Sequence, residues 1–210
     1  MRVSTCFVFA LTLFATAAKA DVAYDSLGSP AEYRSNFGFT LGTPNANVFN
    51  PFRIGLVFSS ATTGVITQID AALSFSRGTA ATAALWTVAS GNTPGDLLGS
   101  WDFEMTQRVG PCCALTSIPT PGGPKLTAGT QYFLTMSVDD DVFAIWHRAL
   151  VAGSMYATDN NGATWDPITF TNEAGAVRIL TRVPEPQELT MALPLLGLFL
   201  VWKRRFTMAG

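Results

Sequence analysis

The sequence contains little charge. Aspartate, glutamate, lysine and arginine make up 13% of its 210 residues, whereas aromatic residues reach 11% and the chain holds 18 glycines and 12 prolines. A chain with so few charged positions does not favour long helices with a solvated face, and its turn-forming residues favour short strands joined by tight turns. The length suits one domain once the two hydrophobic ends are set aside.

Basic residues are scarce in the central part of the chain. The segment from Asp21 to Arg182 holds 8 basic and 13 acidic residues, which gives a net charge of −5. Proteins that bind nucleic acid need a basic surface to offset the phosphate charges. The composition therefore argues against nucleic acid as a partner.

Residues that bind metals or activate nucleophiles are also few. The single histidine, His147, has no Cys-x-x-Cys pair with which to complete a metal site. Gly-x-Ser-x-Gly, His-Glu-x-x-His and phosphate-binding loops are missing as well. We therefore predict no catalytic residue, no metal and no cofactor, and a protein that is not an enzyme. A pair of glycosidase carboxylates would escape such a search, because their separation is a property of the folded chain.

Two of the three cysteines are adjacent in sequence. They are Cys112 and Cys113, and the third, Cys6, lies in an apolar N-terminal segment. In an oxidising export compartment the pair is expected to be oxidised. Adjacent Cα atoms lie about 3.8 Å apart, below the usual disulfide range of about 4.4 to 6.8 Å. A strained vicinal disulfide and a link between two chains are therefore the two alternatives.

The N-terminus has the three parts of a secretory signal peptide. A positive start at Arg2 precedes an apolar run from Cys6 to Ala18, and Ala18 and Ala20 place small residues at the cleavage site. The apolar run is too short to span a bilayer and leads directly into polar residues. We predict that residues 1–20 are a signal peptide that is removed on export.

The C-terminus also has three parts in a fixed order. Val183-Pro184-Glu185-Pro186 is followed by an apolar run of 14 residues from Leu189 to Trp202, and then by the basic cluster Lys203-Arg204-Arg205. The prolines favour an extended protease substrate, and the basic cluster favours the cytoplasmic side of a membrane. As a helix, the apolar run would reach about 21 Å against a hydrocarbon core of about 30 Å. We therefore expect a transient membrane segment, with a lasting anchor as the alternative.

These three C-terminal parts, together with the signal peptide, resemble the PEP-CTERM sorting signal of Gram-negative bacteria. The resemblance covers residues 183–206. It implies that an exosortase in the inner membrane cuts the tail near Val183 to Pro186. It also implies that the mature protein reaches the cell surface or the extracellular exopolysaccharide.

Between the two ends, the sequence predicts strands. Apolar and polar residues alternate from Val65 to Phe75, which is the period of a strand with one buried face. Turn signals such as Asn160-Asn161-Gly162 separate further stretches of this kind. The further stretches are Ala83–Ala89, Leu97–Glu104, Gln131–Val138, Val142–Arg148, Ser154–Thr158 and Ala174–Thr181.

This pattern predicts an all-β domain over residues 21–182. We expect an antiparallel β-sandwich of jelly-roll type. An N-terminal signal helix and a C-terminal hydrophobic helix would flank it, and residues 28–50 would form an irregular lead-in.

Several short motifs of this domain are similar to those of the β-sandwich ectodomains often labelled choice-of-anchor domains, which precede PEP-CTERM tails. The similarity covers about residues 56–181 and implies an extracellular fold without assigning a biochemical role. The motifs are Leu85-Trp86, Gly91 to Gly95, Leu98 to Trp101, Leu126 to Leu134, Trp146 and Gly162 to Trp165.

Thr158 to Trp165 resembles the Asp-box hairpin of sialidase propellers, with Asn160 where the box prefers aspartate. A propeller repeats its motif in every blade, whereas this chain has one copy, so we predict a structural hairpin. Aromatic faces stack on sugar rings, which makes Trp146 and Trp165 candidate glycan contacts. The same aromatic set includes Trp86, Trp101, Tyr132 and Tyr156. Packing in the core is the interpretation that we favour for the set, because most of its members lie on predicted strands with apolar neighbours.

The sequence as a whole predicts an exported, non-enzymatic protein of the cell surface or extracellular matrix. Its expected partners are an exosortase, the inner membrane during processing, and exopolysaccharide. A carbohydrate-binding module is the alternative function, and a secreted glycan hydrolase is the third.

Overall fold

The computed structural model describes residues 20–28, 32–42, 53–109, 115–139 and 141–182. Within these residues the chain is all-β, and the regular elements are fifteen strands. They are β1 Ala20–Asp25, β2 Tyr33–Gly42, β3 Arg53–Ser59, β4 Gly64–Ala71, β5 Leu73–Arg77, β6 Ala80–Ala89, β7 Thr93–Glu104, β8 Thr116–Pro119, β9 Lys125–Leu126, β10 Gln131–Val138, β11 Phe143–Ala152, β12 Ser154–Thr158, β13 Asp166–Pro167, β14 Glu173–Gly175 and β15 Val177–Arg182.

The strands form three antiparallel sheets. The first has the order β1-β15-β4-β8, with β9 also paired to β4, and the six-stranded sheet has the order β13-β12-β3-β10-β6-β7. In the third sheet, β11 lies between β2 on one side and β5 and β14 on the other. One hydrophobic core takes residues from all three sheets, including Ile69, Leu134 and Trp146. The predicted all-β antiparallel fold is therefore confirmed.

The predicted strand from Val65 to Phe75 is two strands in two sheets. In the first half, the buried face is the opposite of the predicted one, because Val65 is exposed and Ile66 is buried. A bulge is the cause: Leu180 pairs with Gln68 and the next residue, Thr181, pairs with Ile66, so Thr67 is skipped. One extra residue turns every side chain before it to the other face of the sheet.

The first and third sheets meet at a fork. β4 and β15 stay paired as far as Ala71 and Val177, after which β5 and β14 pair with the two halves of β11. At the fork the His147 amide donates to the Ala72 carbonyl at 2.9 Å, and the Ala176 amide donates to the His147 carbonyl at 2.8 Å. The predicted strand Ala174–Thr181 is divided at this point for the same reason.

The predicted irregular lead-in, residues 28–50, contains a regular strand, because β2 lies within this segment. Ten residues, Tyr33–Gly42, are in the strand, and Phe39 and Leu41 are buried in the core. The pairing with β11 moves from Gly38 opposite His147 to Arg34 opposite Arg148. This irregularity interrupts the alternation that would otherwise have marked the strand.

No helix in the described part of the chain is long and apolar enough to cross a membrane. The predicted signal helix and the predicted C-terminal hydrophobic helix lie outside the described residues, and both stay predictions.

Candidate functional site

The outer face of the six-stranded sheet carries a groove. The strand register aligns side chains of β3, β10, β6 and β7 into rows across the sheet, and these rows form the floor of the groove. The middle row has only small side chains, and it lies between a row that contains Trp86 and a row of polar residues. Small side chains beside the row that contains Trp86 leave open space above the sheet. The middle row is Gly55, Thr135, Ala84 and Ser100.

Two hairpin segments stand beside this floor. One is the turn between β12 and β13, from which Asn161 to Trp165 line the groove. The other is the start of β7, where Thr93, Pro94 and Leu97 line it. The β6–β7 turn has positive φ at Gly91 (77°) and Asn92 (57°), as the tight turns that suit a twisted hairpin require. The enclosed volume is about 480 Å³, which is within the usual range for a small-ligand site.

The turn before Trp165 is built as the sequence predicts. The Asn160 side-chain oxygen accepts a hydrogen bond from the Thr164 amide at 3.0 Å, and the Asn160 nitrogen donates to the Thr164 hydroxyl at 2.7 Å. Asn161 and Gly162 have φ of 65° and 90°. The short amide side chain therefore closes the turn, and the structural hairpin is confirmed.

Trp165 is held by an aromatic cluster on the outer face. Its ring meets that of Phe133 edge-on, with 5.1 Å between centroids, and Phe133 also contacts Tyr156 at 5.7 Å. Gly55 makes room for this arrangement, because a Cβ there would lie 2.1 Å from the Phe133 ring. The tryptophan is thus positioned by packing below it, while part of its surface stays open to the groove.

Trp86 is fixed by hydrogen bonds in the floor. Its indole N–H donates to the Thr135 hydroxyl at 3.1 Å, and that hydroxyl donates to the Ala84 carbonyl at 3.3 Å. The remaining lining includes the hydroxyls of Thr82, Ser100, Ser137 and Thr164. Hydroxyls both donate and accept hydrogen bonds, so the groove combines two indole rings with the groups that a sugar hydroxyl needs.

No aspartate or glutamate lines the groove within the described part of the chain. Asp102 follows Thr82 in the polar row, where it accepts a hydrogen bond from the Thr82 hydroxyl at 2.8 Å. Glycosidases use two carboxylates that flank the scissile bond. The described lining therefore lacks the groups for that chemistry.

Of the two predicted glycan contacts, the structure places one in the groove and the other in the core. Trp165 lines the groove, whereas Trp146 is 0% exposed and its indole N–H donates to the Ala176 carbonyl at 3.2 Å. The glycan contact predicted for Trp146 is therefore wrong. Trp86 belongs to the same aromatic set in the sequence, but the sequence does not distinguish it from the buried tryptophans, because its neighbours Ala83, Ala84 and Leu85 are all apolar and give no phase.

His147 has a partner that the sequence did not suggest. Its Nε2 lies 2.8 Å from the Ser74 hydroxyl, and its Nδ1 lies 3.3 Å from the Arg34 carbonyl. Ser74 is 1% exposed and His147 is 4% exposed, so a substrate has no access to either. In a Ser-His-Asp triad a carboxylate orients the histidine, whereas the Arg34 carbonyl takes that place here.

Burial lowers the pKa of His147 below its usual value of 6.5, and hydrogen bonds to the carbonyls of Arg34 and Phe37 oppose the shift in part. The unfolded chain therefore takes up a proton at this residue more readily than the folded chain. The stability that this residue supports is complete above pH 6.5, and it is lost as the pH falls toward the lowered folded pKa.

We expect the free energy of unfolding to fall between about pH 7.5 and about pH 5.5, and to fall less in His147→Gln. Glutamine cannot take up the proton but keeps an amide near the Ser74 hydroxyl. Urea unfolding of both proteins at the two pH values measures the difference. Identical pH dependences would show that His147 does not contribute.

Of the other predicted site residues, the structure describes Ala20. Ala20 begins β1 and pairs with Arg182. The remaining predicted site residues lie outside the described residues. They are Ala18, Cys112, Cys113, Val183, Pro184, Glu185, Pro186, Lys203, Arg204 and Arg205. In the described part of the chain, no three histidine, cysteine or acidic residues are grouped so that they could hold a metal ion.

Comparison with known proteins adds no relative to this description. No family model matches the chain, and no curated protein matches it.

Proposed function

We propose that this chain is an exported surface protein that binds polysaccharide through the groove of its six-stranded sheet. The observation that carries the proposal is the joint lining of one groove by two partly open indole rings, Trp86 and Trp165, and by several hydroxyls. Indole faces pack on the apolar faces of sugar rings, and hydroxyls exchange hydrogen bonds with the sugar rim. The role is binding and not catalysis, which the absence of carboxylates from the described lining supports.

We further propose the finer fold and the route of export. The fold is an antiparallel β-sandwich of jelly-roll type, and the shared core of the three sheets supports the sandwich.

For export, residues 1–20 are the signal peptide, and residues 183–206 are the tail that an exosortase processes in the inner membrane. β1 and β15 are neighbours, with Ala20 opposite Arg182, so the residues that adjoin the two predicted processing sites in sequence lie side by side. The mature protein then resides at the cell surface or in the exopolysaccharide.

The experiment is a titration of the purified full chain against a panel of extracellular polysaccharides, by calorimetry. We expect binding to at least one polysaccharide. Trp86→Ala and Trp165→Ala should each weaken it about fivefold, since one stacked ring contributes about 1 kcal/mol.

Phe170→Ala is the matched control. Phe170 is 75% exposed and does not line the groove, so its removal should leave the affinity unchanged. Urea unfolding of each variant separates a binding loss from a folding loss. An equal loss in all three variants, or binding to none of the polysaccharides, would contradict the proposed function.

A further inference from the structure

One cation lies among the groove residues. Arg53 is the first residue of β3, and it continues the polar row of the floor. In that row Ser137 pairs with Thr82. Arg53 lies opposite Ser137, because the two residues are next to the paired residues Ile54 and Met136. No other charged residue is among the described residues of the lining.

Arg53 forms no ion pair in the described part of the chain. The ion pairs found there join other residues, in the pairs Arg34–Glu173, Arg148–Glu173 and Arg178–Asp25. One Arg53 Nη donates to the Asn161 side-chain oxygen, and the buried Nε has no hydrogen-bond partner among the described residues. A neutral amide does not offset the positive charge of a guanidinium.

We propose that the groove selects acidic saccharides and that Arg53 binds the carboxylate of a uronic acid unit. The inference rests on the proposed function and adds the class of saccharide to it. A carboxylate matches the planar guanidinium and accepts charge-assisted hydrogen bonds from it. A ligand carboxylate would also supply the negative charge that the lining lacks.

The charge of the domain makes this inference easy to isolate. Residues 21–182 carry a net charge of −5, so an acidic polymer is repelled at long range and is not drawn to the surface as a whole. A preference for an acidic saccharide must therefore come from a local contact. Arg53 is the cation that the groove presents for such a contact.

The test compares acidic polysaccharides with their own neutral forms. The full chain is titrated with polygalacturonate and with alginate, each beside the same polymer after reduction of its carboxyl groups to alcohols. Wild type should bind at least one acidic form about tenfold more tightly than its reduced form. Arg53→Gln should abolish that preference by weakening the binding of the acidic form, so that the ratio of the two affinities falls to about one.

The ratio of the two affinities is the decisive quantity, because it does not depend on the fraction of the variant that is folded. Lys125→Gln removes the same charge from an exposed residue outside the groove, and it should keep the ratio of the wild type. Arg53→Lys keeps the charge without the planar donor pair and should give an intermediate ratio.

The outcomes separate this inference from the proposed function. If the reduced polymers bind as tightly as the acidic ones, and Trp86→Ala and Trp165→Ala weaken both, the groove binds polysaccharide but Arg53 does not select it. If Lys125→Gln loses the preference as Arg53→Gln does, the effect is one of overall charge and the inference is wrong. Binding to neither form would contradict both the inference and the proposed function.

Discussion

Replacing Trp146 by alanine should lower the free energy of unfolding by about 3 to 5 kcal/mol, as is typical for a large aromatic residue in a core. The ring is fully buried at the fork between two sheets, and its N–H donates to Ala176 there. Gly175 lies against the ring, since a Cβ at that position would be 2.5 Å from it. Domains of this size have a total stability of about 5 to 15 kcal/mol, so the variant should be marginally folded.

The measurement is urea unfolding of the variant beside the wild type. Trp165→Ala is the matched comparison, because it removes the same side chain from a partly open position, and it should cost less. Trp146→Phe refills part of the space and should fall between Trp146→Ala and the wild type, which keeps the series informative if the alanine variant does not fold. A loss below about 1 kcal/mol in Trp146→Ala would contradict the buried position.

Replacing Glu185 by alanine should leave an uncut precursor in the inner membrane, in place of mature protein at the surface. The reason is that Glu185 is the central acid of the predicted sorting motif, and a protease that reads this motif would lose its recognition element. A short apolar run is a poor permanent anchor, so under the proposed sorting we expect processing of the tail to determine where the protein resides. Immunoblots of membrane and extracellular fractions measure the precursor and the mature form.

Glu188→Ala is the control for this experiment. It removes the same charge three residues further along the tail, outside the motif, and it should be processed as the wild type is. Processing of Glu185→Ala at the wild-type rate, or recovery of full-length wild-type protein from the cell surface, would contradict the proposed sorting.

The sequence predicted the fold class well and the faces of some strands poorly. β10 and β12 begin and end at the predicted residues. No bulge interrupts their sequence pattern, and turn residues flank both strands. The face of Val65 was wrong because a bulge at Thr67 shifts the phase, and a bulge is a property of the pairing with β15. β2 was missed for a related reason, since its irregular pairing with β11 hides its period.

The groove was predicted only in part. Local sequence identified the hairpin that carries Trp165, because its turn chemistry lies within eight consecutive residues. Local sequence does not predict the floor of the groove, because its middle row comes from four strands that only the register aligns. The middle row is Gly55, Thr135, Ala84 and Ser100. For the same reason the sequence did not distinguish Trp86, which lines the groove, from Trp146, which is buried.

Hydroxyl-radical footprinting of the full chain, with and without a bound polysaccharide, tests the central claim most directly. In the free protein Trp86 and Trp165 should be oxidised, and the buried Trp146 and Trp101 should react little. Polysaccharide should protect Trp86 and Trp165 together and leave the exposed Phe170 as reactive as before. Saturating polysaccharide that leaves Trp86 and Trp165 unprotected would show that the glycan binds elsewhere and that the groove is not its site.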